Sequence, residues 1–224
     1  MITGKALQEK AYDDLKEMIL NGQLAQGQIY SETRISSELG ISRTPLKDAL
    51  VRLEQERYVD ILPSRGFCLH EMSRQDIQTT YQARTAIEGF CALTLAAGRE
   101  TEEGQRTVRQ LANCLEEMKC CLTAGAPMEQ MFEHDLAFHR AMVRFSGNSE
   151  LISLFERYNH RLSMIAIKSL EHPGRAGEAL AEHQQVYDTI MAAGTDPQSK
   201  MEVYFSILHH MEASRDLVLT DTGN

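Results

Sequence analysis

The feature that most constrains the fold is the absence of any strand pattern after Ser73. From there onward, apolar residues recur at helical spacing, and glycines and prolines divide the chain into segments of about 18–24 residues. The predicted helices run from Ser73 to about Ala97 and lie near 101–123, 128–146, 149–170, 177–193 and 197–218. Helices of this length joined by short loops are typical of an antiparallel bundle. The sequence therefore predicts an all-helical domain over residues 73–224.

The first 72 residues have a different order, which is helix, short helix, tight turn, helix and hairpin. The short helix ends at Gly40, and Ser42 opens the next helix, with Pro45 in its first turn. Tyr58–Leu62 and Gly66–His70 alternate apolar and other residues, as a half-exposed hairpin requires. We therefore predict a mainly α protein with an N-terminal domain over residues 1–72.

Composition narrows the class of protein. With 42% hydrophobic and 25% charged residues the 224-residue chain is globular, and its net charge of −9 argues against non-specific binding of polyanions by the whole molecule. The N-terminus lacks an apolar signal-peptide core, and no apolar run is long enough to span a membrane. The five cysteines show no CxxC spacing. We expect a cytoplasmic protein without disulfides or membrane contact.

A short helix, a turn and a second helix form the helix-turn-helix arrangement, whose second helix enters the DNA major groove by its N-terminus. Near that N-terminus, Arg43 can fork onto guanine or a phosphate, Thr44 can contact either, and Lys47 lies one turn on. At the hairpin tip, Arg65 supplies a cation, and Gly66 would let the backbone approach a minor groove. The alternative is a packed helical hairpin with ordinary solvated charges.

Residues 31–69 resemble the winged helix-turn-helix of the GntR family of bacterial transcription regulators. The resemblance is carried by Ile41–Leu50 (ISRTPLKDAL), by Arg52-Leu53-Glu54 and by Pro63–Gly66. The family carries Arg where this chain has Thr33, with Arg34 adjacent, and favours Arg at Lys47. The resemblance implies contacts to double-stranded DNA from Arg34, Ser42, Arg43, Thr44, Lys47, Arg65 and Gly66.

One pair in the helical half has metal-ligand spacing. Asp135 and His139 stand at i, i+4 and so project from one helix face, where they could serve as adjacent ligands of one cation. An Asp–His pair at this spacing is more often a surface salt link. Spacing alone leaves both interpretations open.

The helical half, over about Asp76–Val218, resembles the FCD effector domain of the FadR subfamily. Metal-binding members hold a divalent ion with an Asp and three His, and the resemblance assigns these roles to Asp135, His139, His183 and His210. His210 is preferred to His209 because it gives the better alignment with the last helix of the family. An insertion near 195–200 leaves the register of that alignment open. The implied cofactor is zinc, or nickel or manganese.

Arg84 is the candidate anchor for an effector carboxylate, because the resemblance places an Arg on this first helix at the pocket. A surface ion pair with Glu88, one turn on, is the competing interpretation.

The leading hypothesis is a homodimeric regulator, more often a repressor in this family, that binds a palindromic operator and senses a small organic acid through a metal-containing pocket. Dimerisation should come from the helical domain. The alternatives are a metal-dependent enzyme acting on a small acid and a helical interaction module without a ligand. We expect no enzymatic activity, because no general base accompanies the Asp135–His139 pair as the Glu does in HExxH.

Overall fold

The computed structural model describes the backbone of residues 4–170 and 172–221, and within them the side chains outside 4–6, 20, 159–166, 168 and 221. The chain divides into two compact units, an N-terminal unit over Met1–Met72 and a C-terminal unit over Ser73–Asn224. Each is described separately below.

The N-terminal unit is a three-helix cluster followed by a hairpin. Ser42 lies before the first residue of α3 in extended conformation, as a helix N-cap requires. The hairpin is antiparallel, with Val59 opposite Leu69 and Ile61 opposite Phe67. The elements are α1 (Gly4–Leu20), α2 (Glu32–Glu38), α3 (Arg43–Gln55), β1 (Val59–Leu62) and β2 (Gly66–Leu69).

One apolar core holds this unit together. Leu15 of α1, Ile35 of α2, Leu50 of α3 and Phe67 of β2 are all buried in it, so each element contributes side chains to the same interior. Burial of this shared core packs α2 and α3 in one interior and leaves Ser42, Arg43 and Thr44 exposed at the start of α3.

The C-terminal unit is entirely helical in the residues that the structure describes. Its first helix begins at a capping box, in which the Ser73 hydroxyl accepts from the Asp76 N–H and the Asp76 carboxylate accepts from the Ser73 N–H. The helices are α4 (Arg74–Gly98), α5 (Glu102–Ala124), α6 (Met128–Phe145), α7 (Ser149–Leu170), α8 (Arg175–Ala192) and α9 (Pro197–Asp221).

The fold class predicted from the sequence is confirmed, since a helix-turn-helix with a hairpin precedes a helical bundle. Within the described ranges, no helix combines the length and the apolar character that crossing a bilayer would need.

Candidate metal centre and candidate DNA-binding surface

Three histidines from three helices meet inside the C-terminal unit. His139 on α6, His183 on α8 and His210 on α9 expose 1%, 0% and 4% of their surface. The Nε2 atom of His139 lies 3.0 Å from Nε2 of His183 and 3.2 Å from Nε2 of His210. Among the described residues, these three form the group whose ligand atoms converge closely enough to hold one metal ion.

The opposite ring nitrogen of each histidine faces an acceptor. Nδ1 of His183 lies 2.7 Å from the Ala179 carbonyl oxygen, and Nδ1 of His210 lies 2.8 Å from Glu182 Oε2. Nδ1 of His139 pairs with the buried Glu88 carboxylate. A carbonyl or carboxylate oxygen only accepts, so each Nδ1 must donate its proton. A ring that carries its one proton on Nδ1 has a lone pair on Nε2, and the three Nε2 atoms lie close to one another.

This arrangement fits a metal ion. With the protons on Nδ1, no ring has a proton left for the short Nε2–Nε2 contacts, and three converging lone pairs repel one another unless a cation lies between them. Fixing of the tautomer by an outer hydrogen bond to Nδ1 is what metal-ligating histidines in proteins almost always show.

Burial keeps two of these rings, His183 and His210, neutral. Burial, followed by the nearby His210, lowers the pKa of His183 to about 3 and outweighs the opposing effect of Asp135. Burial likewise lowers the pKa of His210 despite the adjacent Glu182 carboxylate. Neutral imidazole is the form that binds metal, so no proton has to be displaced from these two rings at neutral pH.

Asp135 lies at the edge of the histidine cluster. Its Oδ1 atom is 3.2 Å from Nε2 of His183, and its side chain keeps 16% of its surface exposed. Burial alone would raise the pKa of Asp135, but the three histidines outweigh burial and lower it. Of the four residues that the family resemblance assigned to the metal, the three histidines converge, and Asp135 lies beside His183 at the edge of the cluster, nearest to solvent.

The predicted effector residue, Arg84, is buried rather than on the surface. Its Nε donates to Glu88 Oε1 at 2.6 Å, and the other oxygen of Glu88 contacts His139. Burial alone would raise the pKa of the Glu88 carboxyl. The nearby Arg84 and His139 outweigh burial and lower this pKa to about 2. The predicted ion pair between Arg84 and Glu88 is present, but it is buried and contacts the candidate metal ligand His139 instead of lying on the surface.

An arginine that holds a carboxylate facing a histidine Nδ1 is called a relay below, and Arg84–Glu88–His139 is the first. A second relay supports His210. The Nη1 and Nη2 atoms of Arg175 donate to the two oxygens of Glu182 at 2.6 and 2.8 Å, and Nη2 also donates to Ser214 at 2.9 Å. Glu182 in turn accepts from His210. Burial raises the pKa of Glu182, but His210 and Arg175 outweigh it and lower the pKa to about 2.

Sequence reasoning missed Glu88 and Arg175 as parts of this site. Arg175 stands seven residues before Glu182, which is two turns on one helix face, so this spacing was an available signal. No comparable signal exists for the contact of Glu88 with His139, because the two residues belong to different helices far apart in the chain.

The two cavities described for the C-terminal unit are lined by none of the three histidines. A cavity of about 290 Å³ lies between α4 and α9, and Tyr81 at its wall stands one helical turn before Arg84. Burial raises the pKa of Tyr81 to about 12.

In the N-terminal unit, the start of α3 presents four predicted DNA-contacting residues together. Ser42, Arg43, Thr44 and Lys47 are all exposed. At the start of α2, Oε2 of Glu32 lies 3.5 Å from Nη2 of Arg43 and 3.9 Å from Nζ of Lys47, so one carboxylate faces both cations.

The remaining predicted DNA contacts lie apart from that turn. Arg34 is exposed and pairs with Glu38 at 2.7 Å, and Arg65 is exposed at the hairpin tip. For Gly66 the expected reason needs correction, because this residue is buried and a Cβ atom would lie 2.0 Å from the Tyr30 carbonyl oxygen. Glycine at this position lets β2 approach Tyr30 within the unit, and a groove contact is not what its burial supports.

Comparison with protein families agrees with both units. The model of bacterial regulatory proteins of the gntR family matches residues 7–69, and the FCD domain model matches residues 79–197, more than half of the chain. The chain belongs to the GntR family and carries an FCD domain. It is a DNA-binding transcriptional regulator with an effector domain, and the expectation that it is not an enzyme is confirmed by its family.

Individual relatives of this GntR regulator align with it over about four fifths of both chains. The HTH-type transcriptional regulator YdhC of Bacillus subtilis is 27% identical over 80% of this chain and 78% of its own. The HTH-type transcriptional repressor GlaR of Escherichia coli is 24% identical over 81% of this chain and 82% of its own. The solved structure of McbR/YncC of E. coli superposes with a TM-score of 0.69 over 99% of both chains, at 19% identity, and so supports the fold.

Proposed function

We propose that this GntR regulator is a repressor that binds an inverted-repeat operator as a homodimer and leaves it when a small carboxylate binds a divalent metal. The proposed ligands are Asp135, His139, His183 and His210. The observation that carries the proposal is the convergence of three Nε2 atoms while every Nδ1 faces a carbonyl or carboxylate oxygen. GlaR, a relative of similar length, bears the name of a repressor.

The donor set supports a metal of the zinc, nickel or manganese type, because imidazole and carboxylate suit those ions and no thiolate lies in the group. Bound there, the ion would polarise an oxygen ligand placed on it. The pairs Arg84–Glu88 and Arg175–Glu182 are each neutral overall. An ion with Asp135 would therefore leave a positive centre inside an acidic chain, and that centre favours an anionic effector.

Arg84 remains the proposed second anchor for that anion. Its Nε is held by Glu88, whereas its Nη1 and Nη2 atoms make no hydrogen bond within the described part of the chain. Those two groups form a planar pair of donors that matches a carboxylate. The guanidinium is thus oriented by Glu88 and keeps one edge for a ligand.

The effector proposal is tested with a panel of hydroxy-, keto-, dicarboxylic and sugar acids added to metal-loaded protein. We expect at least one acid to raise the melting temperature of the parent and to lower its operator affinity, because the acid binds an open position on the metal. The His183→Ala variant should lose this response. An acid that stabilises parent and variant equally would show that the metal does not anchor the effector.

The DNA-binding proposal predicts a site-specific effect of Arg43→Ala. We expect operator affinity to fall by about 1–3 kcal/mol and base preference to relax at one position, because a bidentate contact to guanine is lost. The measurement is a titration of operator and scrambled DNA at matched salt. Lys10→Ala, which removes an exposed cation from α1 of the same unit, is the control and should change both titrations equally or not at all. Unchanged operator affinity in Arg43→Ala would contradict the assignment of α3 as recognition helix.

A further inference from the structure

The helix-turn-helix of this DNA-binding regulator carries no net charge. From the start of α2 to the end of α3 the chain has four cationic and four acidic side chains. Binding of duplex DNA without sequence preference comes essentially from cations placed on phosphates. An element without net charge gains little from such contacts, so its choice of DNA depends on how its individual charges are placed. The eight charged residues are Glu32, Arg34, Glu38, Arg43, Lys47, Asp48, Arg52 and Glu54.

One of these acids, Glu32, lies beside the two cations at the start of α3. Its Oε2 atom is 3.5 Å from Nη2 of Arg43 and 3.9 Å from Nζ of Lys47. The Glu32 side chain is 18% exposed, whereas the side chains of Arg43 and Lys47 are 61% and 59% exposed. The carboxylate is therefore sheltered by the protein, and the two cations are the groups that DNA can reach.

Both contacts of Glu32 are longer than a strong ion pair. A charge-assisted N–H···O bond measures about 2.7–2.9 Å, and the neighbouring pair of Arg34 with Glu38 has that length, at 2.7 Å. Glu32 instead attracts two cations that stand one turn apart on α3 and repel each other. Its charge holds both side chains near one point and leaves their remaining N–H donors for DNA.

We propose that Glu32 is a specificity-determining residue, which opposes binding to phosphates alone and orients Arg43 for a base. Its charge cancels part of the attraction of Arg43 and Lys47 for the phosphates of any sequence. The guanine O6 and N7 atoms in the major groove are uncharged acceptors, so Glu32 opposes a contact of Arg43 with guanine much less. An arginine that is already held in place also loses less side-chain freedom on binding.

This inference rests on the proposed role of α3 as recognition helix, because Glu32 acts on DNA through Arg43 and Lys47. It goes beyond that role in assigning to an acidic residue the balance between specific and non-specific binding. Loss of the Glu32 charge is therefore expected to strengthen binding to unrelated DNA, whereas loss of a contact residue weakens binding.

The test titrates the full chain with two duplexes, one that the parent protein selects from a random pool and one with the same base pairs in scrambled order. In Glu32→Gln the affinity for the scrambled duplex should rise, and the slope of log affinity against log salt should steepen by about 0.9, because one more cation can neutralise a phosphate. Between 200 and 50 mM salt this slope adds about 3-fold to the gain.

The selected duplex should gain less from Glu32→Gln, because Arg43 contacts guanine there and needs its orientation. We expect the ratio of selected to scrambled affinity to fall about 3-fold at 50 mM salt. In an Arg43→Ala background, Glu32→Gln should leave this ratio unchanged, since no arginine remains to be oriented. A purely structural role of Glu32 would not change the salt slope.

Glu9→Gln is the matched control, because Glu9 lies 3.2 Å from Arg52 in the last turn of α3 and its loss removes the same charge far along the helix. Glu9→Gln should leave the salt slope and the affinity ratio as in the parent. Glu32→Asp keeps a carboxylate beside both cations and should behave like the parent. Thermal melting verifies that each variant is folded.

A Glu32→Gln protein with the salt slope and affinity ratio of the parent would overturn the inference. So would equal changes in Glu9→Gln, because net charge alone would then explain the effect. A fall in the ratio that persists in full in the Arg43→Ala background would overturn it as well. If Arg43→Ala alone binds both duplexes like the parent, the proposed recognition helix is wrong.

Discussion

The His210→Ala protein should lose the metal, while the adjacent His209→Ala protein keeps it. His210 is 4% exposed, with Nε2 3.2 Å from Nε2 of His139, whereas His209 is exposed to solvent. The His210→Ala change removes one of four proposed ligands, so the remaining three bind the metal more weakly. A metal present at about 1,000 times its dissociation constant contributes ~4 kcal/mol to the folded state. We therefore expect metal to raise the melting temperature of parent and His209→Ala by about 10 °C and of His210→Ala hardly at all.

The measurement is thermal melting of chelator-treated protein with and without zinc, nickel or manganese, together with metal analysis of the purified proteins. Two histidines on one helix, one turned toward the cluster and one toward solvent, make a pair of variants that differ in little else. Equal responses of the two variants would show that the histidine cluster is not the binding site. A chelator-treated parent that melts at the same temperature with and without every metal tried would show that the cluster packs as a dry core.

The helical phase made the choice between these two residues partly predictable. Successive residues on a helix point about 100° apart, so His209 and His210 are not expected to bind the same ion. The capping-box pattern at Ser73 and Asp76 likewise predicted where α4 begins. What periodicity could not give is the tertiary partner of each ring. Nothing in the sequence relates the Ala179 carbonyl to His183 except their separation by one helical turn.

The burial of the Arg84–Glu88 pair was the part least accessible from sequence. An Arg and a Glu one turn apart on a helix are usually a surface pair, because desolvating two charges is costly. The clue was the remainder of α4. If the outward residues of a helix are Gln82, Ala86 and Phe90, its charges must face inward, and inward charges need partners such as His139.

The two relays give the site a common construction. Arg84 and Glu88 back His139, Arg175 and Glu182 back His210, and His183 relies on a backbone carbonyl alone. In each relay the arginine keeps the carboxylate ionised, and the carboxylate accepts the Nδ1 proton and makes Nε2 a stronger donor to a metal. The second relay also spans two helices, since Arg175 of α8 binds Ser214 of α9.

Arg175 should therefore act as a positioning residue for metal binding without touching the metal. In Arg175→Met we expect metal affinity to fall about 10- to 100-fold, which is the effect typical of losing an outer partner of a metal-bound histidine. Arg175→Lys should be intermediate, because ammonium keeps the charge but lacks the fork that holds both oxygens of Glu182. Competition with a chromophoric chelator measures the affinities, and the visible spectrum of the cobalt-loaded proteins reports the ligand geometry.

A buried arginine also stabilises the fold, so two further proteins separate stability from metal binding. Arg140→Met breaks another bidentate pair, with 2.7 and 2.9 Å bonds to Glu156, which is about one-third exposed and makes no hydrogen bond to a histidine of the cluster among the described residues. Arg140→Met should keep metal affinity and the cobalt spectrum, whatever stability the loss of this pair costs. The double variant Arg175→Met/Glu182→Gln leaves no unpaired buried charge, yet its amide is a weaker acceptor for Nδ1 of His210. If that double variant folds and binds metal as tightly as the parent, the relay is structural, and His210 needs no outer carboxylate to serve as a ligand.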